Sequence, residues 1–479
     1  MDAATIRQLE PELDNYLKRF SHCFCGATEH LCVAYIRGQL SELERKNVER
    51  IALRAGIAPR TLQEFLASYS WDHTELSKTL QQMVASEHAD PNSVGIIDET
   101  SFVKKGTKTP GVQRQYCGAV GKQENCVVTV HLSYATPNFH CLIGEELFLP
   151  ESWSNDRARC REAKIPEELV YRPKSEIALE IYHRAIASGI QFTWLTFDEW
   201  YGAKPQFLDA LSEAKQKFVG EIHCGHRMWV KKPKVTTRPF RKKKRGKSRK
   251  IPRIVSGNPK SGTAQECFEK SAAFVQQDWQ RWNVKDTEKG PKIVEVKHAI
   301  VYPQNASGLP GEPHHLIVVR DVMSGEVKYF LSNAPTATRV DILLKVAFSR
   351  WRVERVFEDD KRYLGMDHFE GRGYPGLMRH LILSAVALMF LARMRLQLLE
   401  AYPEITVSQI QQAASSLVQS WWIEPLDAKS LIDATAYRLE YYQRRNAQAR
   451  KSHTKTRIKK LLALGIDVNA IPKCQWDSG

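Results

Sequence analysis

Asp98 closes the apolar run that starts at Val94, and Asp198 closes a second run, Phe192-Thr-Trp-Leu-Thr-Phe197. Strand ends of an open α/β sheet are where ligands and metals bind, because backbone there gives way to loops. Two carboxylates brought together repel unless one is protonated or a cation lies between them, so such a pair implies a raised pKa or a divalent metal. Strand-end aspartates also serve as helix caps and turn formers, so two of them leave the choice open. A third acidic motif, Arg350-Trp-Arg-Val-Glu354-Arg-Val-Phe-Glu-Asp-Asp-Lys361, reads as helical. Arg350 and Glu354 are four apart and Glu354 and Lys361 seven apart, which places all three on one face. That face offers a hard oxygen ligand for a metal and two cations for phosphates beside it. On spacing alone, a solvated helix with i,i+4 ion pairs is the better explanation.

The elements that must position these residues are legible in outline. Residues 1–90 read as helical, with Leu9, Leu13, Leu17 and Phe20 at helical spacing and a second helix expected from about Ser41 to Ala55. Within them, residues 48–68 have a helix-turn-helix look: Ala52 is small, Gly56 suits the turn and Pro59 opens the next helix. Any tight helical hairpin would look the same. Strands are expected at Val94–Asp98, Tyr116–Val120, Cys126–Tyr134 and Leu142–Phe148, then a helix over Lys174–Ala187. The run ending in Asp198, a helix over Lys204–Lys217 and a strand at Phe218–His223 complete an α/β alternation. Residues 225–337 interrupt it with β-type segments at Ile293–Tyr302, His315–Val322 and Glu326–Leu331. A long helix is expected from Thr338 past Lys361, and another, apolar on most sides and therefore buried, over Gly376–Glu400.

Charge points to the partner. The 479 residues carry a net charge of +16, and two windows hold the excess. Residues 226–260 have 15 Lys/Arg and no acid, and residues 441–460 have 8 and no acid; the rest of the chain is net acidic. Concentrated positive charge suits a polyanion followed along defined tracks, which makes nucleic acid the leading partner. With phosphates present, Mg²⁺ bridging carboxylates and phosphate oxygens is the natural reading of the acids. The longest apolar run, Leu381–Ala392, is expected to be too short for a bilayer, and the acidic, amphipathic start is no secretory signal. Five zinc-capable side chains, His22, Cys23, Cys25, His30 and Cys32, crowd one stretch, but buried reduced thiols explain them more simply. The chain is expected to be intracellular.

Three segments carry a resemblance to a known family. Gly95-Ile-Ile-Asp98-Glu-Thr-Ser-Phe-Val-Lys-Lys-Gly106, Leu195-Thr-Phe-Asp198-Glu-Trp-Tyr-Gly202 and Arg350-x3-Glu354-x6-Lys361 resemble the three signatures of DDE insertion-sequence transposases. The third is similar to the Tyr-x2-Arg-x3-Glu-x6-Lys motif of the insertion-sequence-four superfamily. Two continuations, Arg114-Gln-Tyr-Cys-Gly-Ala-Val-Gly-Lys122 and Leu364-Gly-Met-Asp-His-Phe-Glu-Gly-Arg372, look most like its insertion-sequence seven-hundred-and-one group. One position departs: the motif's tyrosine falls at Ala347, with Phe348 beside it.

The resemblance implies an α/β fold: an RNase H-like catalytic core, a mixed sheet with flanking helices, interrupted by a β-strand insertion and joined to N-terminal and C-terminal helical regions. The expected divisions are a DNA-binding domain over 1–90, core over 91–224, basic β-rich insertion over 225–337, core completion over 338–400 and a helical region with a basic tail over 401–479. It implies Asp98, Asp198 and Glu354 as catalytic ligands of two Mg²⁺ ions, or Mn²⁺ in their place, and Arg350 and Lys361 as contacts to phosphates. Arg241, Lys242, Lys243, Lys244 and Arg245 form the centre of the basic window that would track double-stranded DNA. The activity implied is cut-and-paste transposition: cleavage at terminal inverted repeats, through a hairpin in relatives with this motif, then joining to target DNA by a homodimer. Relatives stack a flipped base on a tryptophan, and Trp279 and Trp282 are candidates that no motif singles out. A bacterial, cytoplasmic, nucleoid-associated protein is expected. The rivals are a domesticated relative that only binds DNA and another RNase H-like nuclease.

Overall fold

The computed structural model describes residues 1–237, 251–420 and 425–476. Five helices come first: α1 (Ala3–Lys18), α2 (Gly26–Leu40), α3 (Val48–Arg54), α4 (Pro59–Ala67) and α5 (His73–Glu87). Strands β1 (Val94–Val103), β2 (Gln113–Cys117), β3 (Lys122–Ala135) and β4 (His140–Leu147) follow, then α6 (Lys174–Ala187), β5 (Trp194–Phe197), α7 (Pro205–Glu213) and β6 (Phe218–Ile222). Next come β7 (Arg227–Trp229), β8 (Gln280–Thr287), β9 (Gly290–Pro303), β10 (His314–Asp321) and β11 (Val327–Ser332). The chain closes with α8 (Val340–Ala347), α9 (Trp351–Asp359), α10 (Tyr374–Leu398), α11 (Val407–Ser420) and α12 (Pro425–Ala463). This is an α/β fold with a mixed sheet and flanking helices, as an RNase H-like core requires.

It divides into two compact units, one of residues 1–191 with 351–451 and one of residues 192–350 with 452–479. In the first, β3 is central: β1 runs antiparallel along one edge, while β4 and β2 share the other. Helix α6 packs on β3 and β4, with Arg184 paired to Glu146 at 3.0 Å. Helix α10 is apolar all round because it runs through the middle of this unit, against α2, α4, α5, α11 and β4. It is longer than the apolar run suggested. Its 25 residues have the length and hydropathy of a membrane span, yet 72% of its most apolar window is buried inside the protein. A core helix satisfies both facts.

In the second unit β5 and β6 are parallel, and β6, β11, β10 and β9 continue antiparallel in that order. Strands β8 and β7 both pair with β9. Helix α8 packs on β5, β6 and β8.

Several expected boundaries move. Residues 41–47 are not helical: Ser41 Oγ donates to the Gly38 carbonyl at 2.6 Å, and Asn47 caps α3 by accepting the Arg50 N–H at 3.0 Å. Short polar side chains that bond nearby backbone end helices in this way. Gly56, at φ +66°, makes the turn from α3 to α4, whose first residue is Pro59. The helix expected from Thr338 past Lys361 is two helices, broken after Ala347, where Ser349 Oγ donates back to the Lys345 carbonyl at 2.8 Å. Arg350 therefore immediately precedes α9, whose first residue is Trp351. Lys361 lies in a wider π-type turn over Asp360–Leu364.

Candidate active site

Asp98 is not at a strand end. It is the fifth residue of the ten in β1, 9% exposed, because Thr100, Phe102 and Val103 carry the strand on opposite Cys126–Thr129. Its Oδ1 accepts the Glu99 N–H at 2.8 Å. Directly opposite it on β3 is His131, and directly opposite His131 on β4 is Glu145. Paired residues of antiparallel strands present their side chains on one face, so the three form a row across the sheet.

Helix α9 crosses that face. The Phe357 ring meets His131 edge-on, with centroids 5.2 Å apart, and Val353 and Val356 are buried beside it. Glu354 is one turn before Phe357 and exposed, so it stands at the edge of α9 on the side of the sheet that Asp98 faces. The helix is pinned at its start by Arg352, whose guanidinium donates to the Thr136 and Phe139 carbonyls at 2.6 and 3.2 Å. Beyond its end, Lys361 Nζ donates to the Ser101 carbonyl at 3.0 Å and lies 5.4 Å from the Phe102 ring centre. Burial lowers the Lys361 pKa. Three residues along β1 from Asp98, a lysine is thus held against the strand itself.

Below this surface the row is buried and polar. Burial, reinforced by the charge of Lys361, drives the His131 pKa down to about 3, so the imidazole is neutral. It shares a hydrogen bond of 2.7 Å with Thr129 Oγ1, and its Nδ1 has no partner among the described residues. Burial pushes the Glu145 carboxyl up to about 8 despite Arg184, and that of Asp360 up to about 7 despite the hydrogen bond it accepts from Ser384. No motif or spacing points to this row, although a histidine inside the apolar run Cys126–Tyr134 is a usable hint.

In the second unit, Asp198 follows β5 directly and is half-buried. Its Oδ1 accepts the N–H groups of Trp200 at 3.0 Å and Tyr201 at 3.3 Å, so it caps the short helix Glu199–Gly202. That helix lies hard on β6: a Cβ at Gly202 would stand 1.9 Å from the Glu221 carbonyl oxygen. Trp200 is 36% exposed, with Lys204 Nζ 4.8 Å from its ring centre. Arg350, the last residue of this unit's main segment, is partly exposed. Trp279 is flanked by Lys297 and Arg320, 5.3 and 4.2 Å from its ring centre, and Trp282 is half-buried. Arg241, Lys242, Lys243, Lys244 and Arg245 lie outside the described residues.

All ten cysteines are free thiols, and the stretch with five zinc-capable side chains is a short 3₁₀ turn leading into α2. Burial explains Cys32 but not its neighbours: Cys23 is half-buried and Cys25 exposed. Among the described residues, no three His, Cys, Asp or Glu side chains form a preassembled metal cage.

Residues 19–291 match the family model of the DDE superfamily endonuclease, a span that takes in Asp98 and Asp198 and ends before Glu354. Over 219 residues the chain is 27% identical to a probable transposase for insertion sequence element IS701 from Microchaete diplosiphon. That match covers 45% of this chain and 54% of the relative, so the chain spans about half the length of the curated relative it matches.

Proposed function

The chain belongs to the DDE superfamily endonucleases, and from that membership we propose that it is a cut-and-paste DNA transposase. It would bind the terminal inverted repeats of an insertion sequence, cleave the DNA ends, through a hairpin, and join the freed 3′-OH ends to target DNA. The observation that carries this reading is the arrangement in the first unit. An acid helix, α9, is fixed by Arg352, Phe357 and Lys361 across the strand that carries Asp98, with Glu354 on the same side. A merely solvated charged helix needs no such anchors.

Asp98, Asp198 and Glu354 are the proposed ligands of two Mg²⁺ ions, or of Mn²⁺. The donor set fits: carboxylate oxygens are hard ligands, and Mg²⁺ is usually held by one or two carboxylates, waters and substrate phosphates rather than by a closed protein cage. When bound, the cations supply Lewis acidity at the scissile phosphate. The residues do the rest. The strand ladder on Asp98 and the cap bonds on Asp198 restrict both carboxylates, so little order has to be gained when DNA arrives. Lys361 holds a positive charge against β1, and Arg350 is the second proposed phosphate contact. Residues 1–90, with the helix-turn-helix over 48–68, would recognise the ends, and the insertion over 225–337 and the tail over 401–479 would follow the duplex. Cutting two ends in one complex calls for a homodimer on DNA. It would act in the bacterial cytoplasm, at the nucleoid.

The test uses a labelled duplex of the element's end, with and without Mg²⁺. Nicks at the end that leave a 3′-OH and depend on Mg²⁺ support the reading. Tight binding with no cut under either condition would leave a DNA-binding regulator instead.

A further inference from the structure

One side chain on β3 meets the supports of two different acids. His131 is paired in register with Asp98 on β1, and its ring meets Phe357 of α9 edge-on, with centroids 5.2 Å apart. Phe357 lies close to one turn after Glu354. His131 therefore stands between the strand that carries Asp98 and the helix that carries Glu354. Directly opposed residues of antiparallel strands hold their Cβ atoms about 5 Å apart, so a change of side chain at 131 is felt at Asp98. The ring is locked as well as buried. Thr129, two residues back on the same face of β3, is buried too, and its Oγ1 shares a hydrogen bond of 2.7 Å with His131 Nε2. That bond fixes the rotation of the imidazole and hence the edge it turns to Phe357. The other ring nitrogen has no partner among the described residues, a cost that an aliphatic side chain of similar size would avoid. Stability alone does not call for an imidazole here.

We infer that His131, locked by Thr129, is a positioning residue: the spacer that sets α9 and its Glu354 relative to Asp98 for a divalent cation. The inference rests on the reading of those two acids as metal ligands. His131 is not itself a ligand in this account; it acts through the strand on one side and Phe357 on the other. A flat, hydrogen-bonded ring suits that task because it has one orientation, whereas a leucine in its place could turn and let α9 settle elsewhere. Side chains that orient metal ligands in this way govern affinity, and their replacement typically costs about tenfold to a hundredfold.

The experiment titrates Mn²⁺ into the full chain without DNA and follows the free ion by electron paramagnetic resonance. In parallel, cutting of a labelled end duplex gives the Mg²⁺ concentration for half-maximal rate. H131L removes the ring and T129V removes only its lock. Each should weaken Mn²⁺ binding about tenfold and raise the half-saturating Mg²⁺ by a similar factor, with the rate largely restored at high Mg²⁺. T129S keeps the hydroxyl and should behave as wild type. Should H131L fail to fold, T129V against T129S decides alone. L132A controls for lost packing: Leu132 is as buried as His131 but points to the other face of the sheet. It should lower the melting temperature and leave Mn²⁺ affinity unchanged. Wild-type Mn²⁺ affinity in T129V and in folded H131L overturns the proposal. So does an equal loss of affinity in L132A, which would make the effect a general loosening. Failure of the parent reading looks different: E354Q then binds Mn²⁺ as wild type does, and the proposal falls with it.

Discussion

Asp98 and Asp198 end similar apolar runs in the sequence, and the fold holds them by different means. Asp98 is embedded in mid-strand, paired to β3, buried, and overlain by a helix anchored at three points. Asp198 stands just past a four-residue strand, half-exposed, fixed by two cap bonds to a short helix that is itself wedged on β6 at Gly202. The difference shows two physical routes to a restrained carboxylate. One uses a hydrogen-bonded ladder and burial, which tolerate change poorly over a wide area. The other uses a local cap and one glycine, which concentrate the sensitivity in four residues.

The largest effect should be shared by both. Asp98→Asn and Asp198→Asn each keep shape and remove charge, and each should lower Mg²⁺-dependent cutting about a thousandfold, equivalent to about 4 kcal/mol. Single-turnover rates on a labelled end duplex would show it; a variant that cuts within tenfold of wild type removes its acid from the site.

Next in size is Gly202→Ala. With no room for a Cβ against the Glu221 carbonyl, the short helix must lift from β6, at a cost of about 3 kcal/mol read by urea denaturation. Wild-type stability in this variant would show that the wedge does not restrain Asp198.

Asp198→Ala should lose about 1 kcal/mol through the missing cap, whereas Asp198→Asn, still able to cap, should lose almost none. Equal losses would mean that the cap bonds do not hold the turn.

The smallest effect belongs to two buried acids, one in the row with Asp98 and one just past α9. Glu145 and Asp360 have raised pKa values, so the folded chain keeps protons that the unfolded chain releases above about 4.5. Their contribution to stability is complete below that pH and is lost as pH rises towards about 8. Buried histidines such as His131 act with the opposite sign below about 6.5, so the comparison must be a difference. Glu145→Gln cannot titrate, and its melting temperature should gain a few degrees on wild type between pH 5 and pH 8. Parallel profiles would contradict a protonated Glu145.

How much of this could be read beforehand follows from what each feature depends on. Helix α6 and strand β6 were legible because composition and periodicity are local. The end of β1 was misplaced because Asp98 and Glu99 look like a strand terminus, while the residues that extend the strand pair with Cys126–Thr129, more than twenty positions away. The break before Arg350 depends on one serine hydroxyl turning back on the helix, which competes weakly with a strong helical pattern. The row of Asp98, His131 and Glu145 exists only through strand register, which no single segment encodes. Motif spacing singled out the acids as candidates; it did not distinguish a ladder from a cap.

The central claim is that the carboxylate on α9 belongs to the cutting chemistry. Wild type and Glu354→Gln should therefore be compared on the same labelled end duplex in Mg²⁺, with binding measured in the same samples. The account predicts that the variant binds as wild type does and leaves the ends uncut. Cutting by the variant at the wild-type rate would contradict it.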